Sequence, residues 1–189
     1  PKSDDAIRIS TFNSNGLPLE KLKHQLQYCD SENIDIQCFN EMNQNMDDHL
    51  HRKKFNEAVR HFDRSAKDVW ANTDIPMQST YKPGGAGIVS FQSVAGRVKE
   101  SGTDRRGRWS FQVLDSGSDF KSVIFSIYRC NKTSLNGKKT AYRQQRILQA
   151  ELGYRGDPTR YFKADLIQEI KKTEIKKRSE SSSIHPGRF

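Results

Sequence analysis

The sequence predicts an α/β fold, a mixed sheet with flanking helices, on three features. Two apolar runs near the start, Ala6 to Phe12 and Ile34 to Phe39, bracket a stretch with helical spacing. Short β-rich runs follow between Gly87 and Tyr128, split by Gly, Ser and Asp clusters. Two helix signals, at residues 140–152 and from Asp157 onward, come last.

In the first run Ile7 and Ile9 alternate with other residues, the two-residue period of a strand. Beyond Gly16 and Pro18, the residues Leu19, Leu22, Leu26 and Cys29 share one face of a helix, and Ile34 to Phe39 reads as the second strand. A crossover of that length lets the two strands pair in parallel. Asp47 or Asp48 is placed to cap a further helix that turns Leu50, Phe55, Ala58, Val59 and Phe62 inward. The runs Gly87 to Phe91, Trp109 to Leu114 and Ser122 to Tyr128 are expected as a meander of antiparallel strands, the first led in by Lys82-Pro83-Gly84-Gly85-Ala86-Gly87. Residues 140–152 make a polar helix ending at Gly153, and Asp157-Pro158 opens another through Phe162, Leu166, Ile167 and Ile170. From Lys171 the chain is Lys, Glu and Ser with isolated apolar residues. The domain is therefore drawn at 1–172, with 173–189 as a basic, Ser-rich, disordered tail.

Leu, Ile, Val and Phe make up 40 of 189 residues, about 21%, just above the roughly 20% below which a charged chain reads as disordered, so the core is expected to be thin. No run approaches the ~18 consecutive apolar residues of a spanning helix, and no signal region opens the chain, so an intracellular protein is expected. Lys171-Lys172 and Lys176-Lys177-Arg178 read as a nuclear address or nucleic-acid tail, or equally as a solvated helix end. Cys29, Cys38 and Cys130 form no CxxC pair and are odd in number, which fits a reducing compartment and argues against structural zinc. Pro1 at the start points to processing or to a fragment of a longer reading frame.

The charge is uneven. Residues 1–50 carry 4 Lys and Arg against 9 Asp and Glu, a net of −5, while the rest of the chain carries a net of +14. That asymmetry suits a polyanion partner, nucleic acid above all, with early carboxylates placed where a cation could bridge them. Arg105, Arg106 and Arg108, with Trp109 beside them, could track a phosphate backbone and stack a base, or could form an ordinary loop. Asn13 and Glu41 lie just past the first and second strands. In a parallel pair those ends are neighbours, where open α/β sheets collect ligands, and both side chains offer the hard oxygens that magnesium accepts. Asn and Glu after strands also serve as plain turn formers.

Five segments, in order, resemble the endonuclease/exonuclease/phosphatase superfamily. Ile9-Ser10-Thr11-Phe12-Asn13-Ser14-Asn15-Gly16-Leu17 resembles its "WN-x-x-GL" strand end, and Ile34-Asp35-Ile36-Gln37-Cys38-Phe39-Asn40-Glu41-Met42 its "PDI-x-x-LQET" strand. Gly84-Gly85-Ala86-Gly87-Ile88 is similar to "GG-x-A-I", Gly107-Arg108-Trp109 to the "GR" strand start, and Ile127-Tyr128-Arg129-Cys130-Asn131 to the "Y-x-P-N" turn. The "D-x-x-GRW" and "YR" wording is closest to retroelement-encoded endonucleases. The resemblance implies part of a four-layer α/β sandwich and a Mg2+-dependent (Mn2+ as substitute) phosphodiester hydrolase, a DNA endonuclease of retrotransposon type. Glu41 would hold the cation, Asn13 would orient the phosphate or a cation-held water, and Tyr128 and Asn131 would contact the scissile phosphate, with Arg129 beside them on the nucleic acid. Asn15 stands where many family nucleases have Asp, and Cys130 replaces the usual Pro.

Two family motifs, "GD-x-N" and a terminal "SDH", are absent. Gly156-Asp157-Pro158-Thr159 contains GD, but a helix signal follows, so Asp157 is read as a cap; Asp48-His49 contains DH, far too early in the chain and on a helix start. The chain is therefore expected to be an N-terminal part, inactive or weak alone, whose missing C-terminal half or reverse-transcriptase region belongs to a parent polypeptide, and one apolar sheet face is expected to lack cover. The alternatives are a non-catalytic basic nucleic-acid-binding remnant and an unrelated basic α/β interaction domain.

Overall fold

The computed structural model describes residues 6–117, 121–132, 134 and 139–181, with side chains as far as Thr173. The chain runs β1 (Ile9–Asn13), α1 (Leu19–Ser31), β2 (Ile36–Asn40), α2 (His49–Phe62), β3 (Lys67–Ala71), β4 (Ala86–Ser90), α3 (Gln92–Gly96), β5 (Val98–Thr103), β6 (Trp109–Asp115), β7 (Lys121–Ile127), α4 (Ala141–Glu151) and α5 (Pro158–Ser181).

Two sheets result, a four-stranded one in the order β1-β2-β4-β3 and a three-stranded one in the order β5-β6-β7. β1 and β2 pair in parallel, Ile9 opposite Ile36 and Asn13 opposite Asn40, while β4 runs antiparallel to both β2 and β3. The first sheet is thus mixed, as expected. β4 was expected in a meander with the later runs; instead it inserts between β2 and β3. Its five residues are all buried, the position a continuous apolar run Ala86-Gly87-Ile88-Val89 demands.

α1 and α2 cover the outer face of the first sheet, where Leu22, Leu26, Cys29, Phe55 and Val59 close over Phe39 and Val89. Asp48 caps α2 by accepting a hydrogen bond from the His51 amide at 2.9 Å. The inner face meets the second sheet through Ile36, Cys38, Ile88 and Leu114, with Val69, Val98 and Ile124 around them. Gln112 stitches the layers, its Nε2 donating to the Lys67 carbonyl at 3.0 Å. The expectation of an uncovered sheet face is corrected here: the inner faces of both sheets belong to this chain and bury each other. On the outer side of the second sheet, Phe162 of α5 meets Trp109 edge-on, with ring centroids 6.0 Å apart. Helices, first sheet and second sheet follow one another as layers, and α5 packs at the Trp109 end of the second sheet.

Asp157 starts α5 as predicted, its carboxylate accepting from the Thr159 amide at 2.9 Å. The helix continues to Ser181, past the boundary expected at 172. Thr173 is buried and its hydroxyl donates to the Glu169 carbonyl. Residues 182–189 of the expected tail lie outside the described residues. No described helix is long and apolar enough to cross a membrane.

Candidate active site

Asn13 and Asn40 are register partners at the last rung of the parallel pair, and Glu41 follows immediately. The chain does not splay apart there. The Ser14 amide donates to the Asn40 carbonyl at 2.9 Å, the Gly16 amide to the Glu41 carbonyl at 2.8 Å, and the Leu17 amide to the Met42 carbonyl at 2.7 Å. Three bonds past the strand ends hold the Asn13 and Glu41 loops side by side. Glu41 sits at φ +54°, an uncommon conformation for a non-glycine residue, and it is half-buried. Asn13 is exposed, its Oδ1 accepting from the Asn15 amide at 3.2 Å.

β7 arrives at the same end from the other sheet. The Ser126 hydroxyl donates to the Phe39 carbonyl at 2.9 Å. The Asn40 amide nitrogen donates to the Ser126 hydroxyl at 2.9 Å and to the Ile127 carbonyl at 3.0 Å. Asn40 therefore ties β2 to the residue before Tyr128 while pairing with Asn13 on its other side. The Tyr128 amide donates to the Arg108 carbonyl at 2.6 Å. Burial, and then the charge of Glu41, push the Tyr128 phenol well above its ordinary range, with Cys130 and Tyr81 adding smaller contributions in the same direction. Tyr128 thus keeps its proton as a donor, within electrostatic range of Glu41. Asn131 and Arg129 are exposed on the turn that follows, and Cys130 between them is buried, its Sγ donating to Gln145 Oε1 at 3.1 Å.

Solved structures similar in part to this chain include an endonuclease/exonuclease/phosphatase family protein from Leptotrichia buccalis, at 13% identity and TM-score 0.43, covering 64% of this chain and 53% of that one. The 3′ phosphatase NExo from Neisseria, bound to a product DNA hairpin, matches at 21% identity and TM-score 0.40, covering 62% and 40%. The 3′-5′ exonuclease NExo from Neisseria meningitidis matches at 20% identity and TM-score 0.38, covering 61% and 39%. The chain spans about half or less of the length of each of these structures. No family model matches the chain, and no curated protein matches it in sequence.

The turn before β4 forms the floor of the site. Gly84 exchanges hydrogen bonds with Asn43, its amide donating to Asn43 Oδ1 and its carbonyl accepting from the Asn43 amide, both at 2.8 Å. Gly84 has φ +85°, and a Cβ there would lie 3.0 Å from the Tyr128 ring and 2.9 Å from the Ala141 Cβ. Its missing side chain is what lets the phenol and α4 close over the turn. Tyr81 bridges Gln44 across the same loop and is exposed. Sequence reading missed Tyr81, Asn40 and Asn43. Their one signal was proximity to the Gly-rich run and to Glu41; the pairing that makes them neighbours is tertiary. Lys82, wholly buried and paired with Asp47, was also unforeseen as a core residue.

The three clustered arginines separate. Arg105 is exposed and pairs with Asp74. Arg106 and Arg108 both reach Asp165 of α5, at 2.7 and 2.8 Å, and Arg108 also binds Asp104 through Nε at 2.6 Å and Nη2 at 3.1 Å. Arg108 is 1% exposed, with its guanidinium 4.2 Å from the Trp109 ring centroid. The expectation that Arg108 tracks a phosphate backbone is therefore corrected. A guanidinium desolvated against Trp109 and held by two carboxylates serves the α5 junction. Arg129 keeps an exposed position beside Tyr128.

Among the described residues, no group of three or more His, Cys, Asp or Glu gathers as a preformed metal centre. The donor set at the strand ends is one carboxylate flanked by carboxamides. That set fits magnesium, which binds through one or two carboxylates and otherwise keeps water or substrate oxygens, and does not fit zinc.

Proposed function

We propose that this chain is part of a divalent-cation-dependent phosphodiester hydrolase of the endonuclease/exonuclease/phosphatase superfamily, a DNA endonuclease of retroelement type. The observation that carries the reading is the convergence of three strand ends: Asn13 of β1, Glu41 after β2 and Tyr128 after β7, joined through Asn40. The five motif resemblances, in chain order, and the two face-to-face sheets support it as well.

In this reading Glu41 holds Mg2+ or Mn2+, which supplies charge neutralisation at the phosphate. Tyr128, kept protonated by its burial, donates to a phosphate oxygen rather than accepting from one. The exposed amides of Asn13 and Asn131 add neutral donors around the same group. Donors aimed at developing charge are the strongest lever such a site has, each worth about 100- to 1000-fold in rate. The motifs that would prepare the attacking water, "GD-x-N" and "SDH", are not in this sequence, so hydrolysis by the chain alone is slow. A second reading, a non-catalytic domain that binds nucleic acid through its basic surface, rests on the net charge of +14 beyond residue 50. The partner in both is nucleic acid, and the parent polypeptide carrying the missing motifs remains part of the proposal.

Two measurements test it. Mn2+ binding followed by loss of the free-ion electron paramagnetic resonance signal weakens at least about tenfold in Glu41→Gln, the loss expected when a first ligand goes. Plasmid nicking in Mg2+ or Mn2+ is slow in the natural chain and falls further in Glu41→Gln and Tyr128→Phe. Equal Mn2+ binding and equal nicking in the natural chain and Glu41→Gln would leave only the binding-domain reading.

A further inference from the structure

We propose that the elbow between α4 and α5, together with the exposed side of the turn after Tyr128, is a platform for an unpaired, single-stranded stretch of nucleic acid. Tyr154 and Tyr161 stand with ring centroids 5.5 Å apart and planes at 53°. Tyr154 is 48% exposed. A tyrosine pair that merely filled a helix junction would be buried; this one forms an open wedge with free ring surface. The backbone holds it there. Gly153 at φ +80° and Gly156 at φ +119° make the two turns of the elbow, and the Tyr154 amide is fixed on the Gln149 carbonyl at 3.0 Å.

Two arginines flank the wedge along the chain. Arg155 and Arg160 are exposed beside it. Asp157, at the elbow itself, feels the charges of Lys132 and Arg129, both on the turn after Tyr128. The proposed track starts at the tilted rings and follows the guanidinium groups towards the turn after Tyr128. An aromatic wedge with adjacent cations recognises bases whose faces are free, stacking the base and tracking the phosphate. A duplex hides its base faces between neighbouring pairs and offers such a wedge only its ends. Arg106 and Arg108 are held by Asp104 and Asp165, whereas Arg129, one of the arginines the sequence pointed to, is exposed on the turn after Tyr128.

The direction of the track rests on the phosphodiesterase reading, but its test does not use catalysis. Fluorescence anisotropy in EDTA compares a labelled 15-nucleotide oligothymidine with a blunt duplex of equal length. The single strand binds more tightly; Tyr154→Ala weakens it about 5- to 10-fold and changes duplex binding less than twofold, whereas Tyr154→Phe keeps single-strand affinity. A melting temperature for Tyr154→Ala equal to that of the natural chain shows that the loss is local. Single-strand affinity unchanged in Tyr154→Ala, lost equally in Tyr154→Phe, or weaker than duplex affinity overturns the platform. None of these outcomes touches Mn2+ binding at Glu41, so the two proposals fail separately.

Discussion

Arg108 carries a full charge at 1% exposure because four hydrogen-bonding nitrogens of its own and its neighbour's guanidinium meet two carboxylates over an indole face. Removing one partner of a buried pair strands the other, at about 3–5 kcal/mol. Asp104→Ala, which takes away the bidentate contact, is expected to destabilise by that amount in urea denaturation. Arg105→Ala, which breaks an exposed pair with Asp74, is expected to leave the denaturation midpoint unchanged. The sequence showed the three arginines and the tryptophan but not which one would be buried. Asp165, the residue that decides it, lies 57 positions further on. Glu41 is the opposite case: its strand-end position followed from local pattern alone, and only the approach of Tyr128 needed the second sheet.

Elements with clear periodicity were found near where they form. The helices at Leu19–Ser31 and His49–Phe62 and the strands at Ile36–Asn40, Trp109–Asp115 and Lys121–Ile127 each carry an apolar face with the right spacing. β3, α3 and β5 gave no such signal. β3 reads Lys67-Asp68-Val69-Trp70-Ala71, charged at its start and paired on one side, and β5 places Lys99, Ser101 and Thr103 outward on an edge where only every second residue is half-covered. α3 is five residues long, too short to show a helical period. The turn before β4 makes a sharper prediction. Gly84→Ala introduces a side chain at φ +85° against Tyr128 and Ala141 and is expected to lose about 2–3 kcal/mol, whereas Gly117→Ala, at φ +71° with open space around it, loses about 1 kcal/mol. Equal losses in the two variants, read by thermal melting, would show that backbone strain alone matters at Gly84.

The whole molecule sets the protonation of its thiols. Burial pushes Cys29 up to about 12 and Cys38 and Cys130 up to about 11, from an ordinary 9.0. The folded state therefore keeps protons that the unfolded chain releases as the pH passes 9. Stability from these groups is whole below pH 9 and is lost as the pH rises towards 11–12, with Tyr128 acting in the same direction. Denaturation midpoints at pH 7, 9 and 10.5 should fall across the last interval, and a thiol reagent at pH 8 should label none of the three cysteines until the chain unfolds. A flat midpoint across that range, or fast labelling of the folded chain, would contradict the buried placement.

By itself the sequence determined the opening strands and the helices that cover them, the cap at Asp157, a cap for α2 at Asp47 or Asp48, and the candidate Asn13 and Glu41, because each is read from periods and residue types within a short stretch of chain. The tertiary structure alone decided that β4 enters the first sheet, that the two sheets bury each other, that Arg108 serves α5, and that Tyr81 and Asn40 stand at the site. Those outcomes turn on partners dozens of residues apart. Which distant group satisfies a buried charge or an open strand edge is chosen by packing the whole chain at once, and no local pattern records that choice.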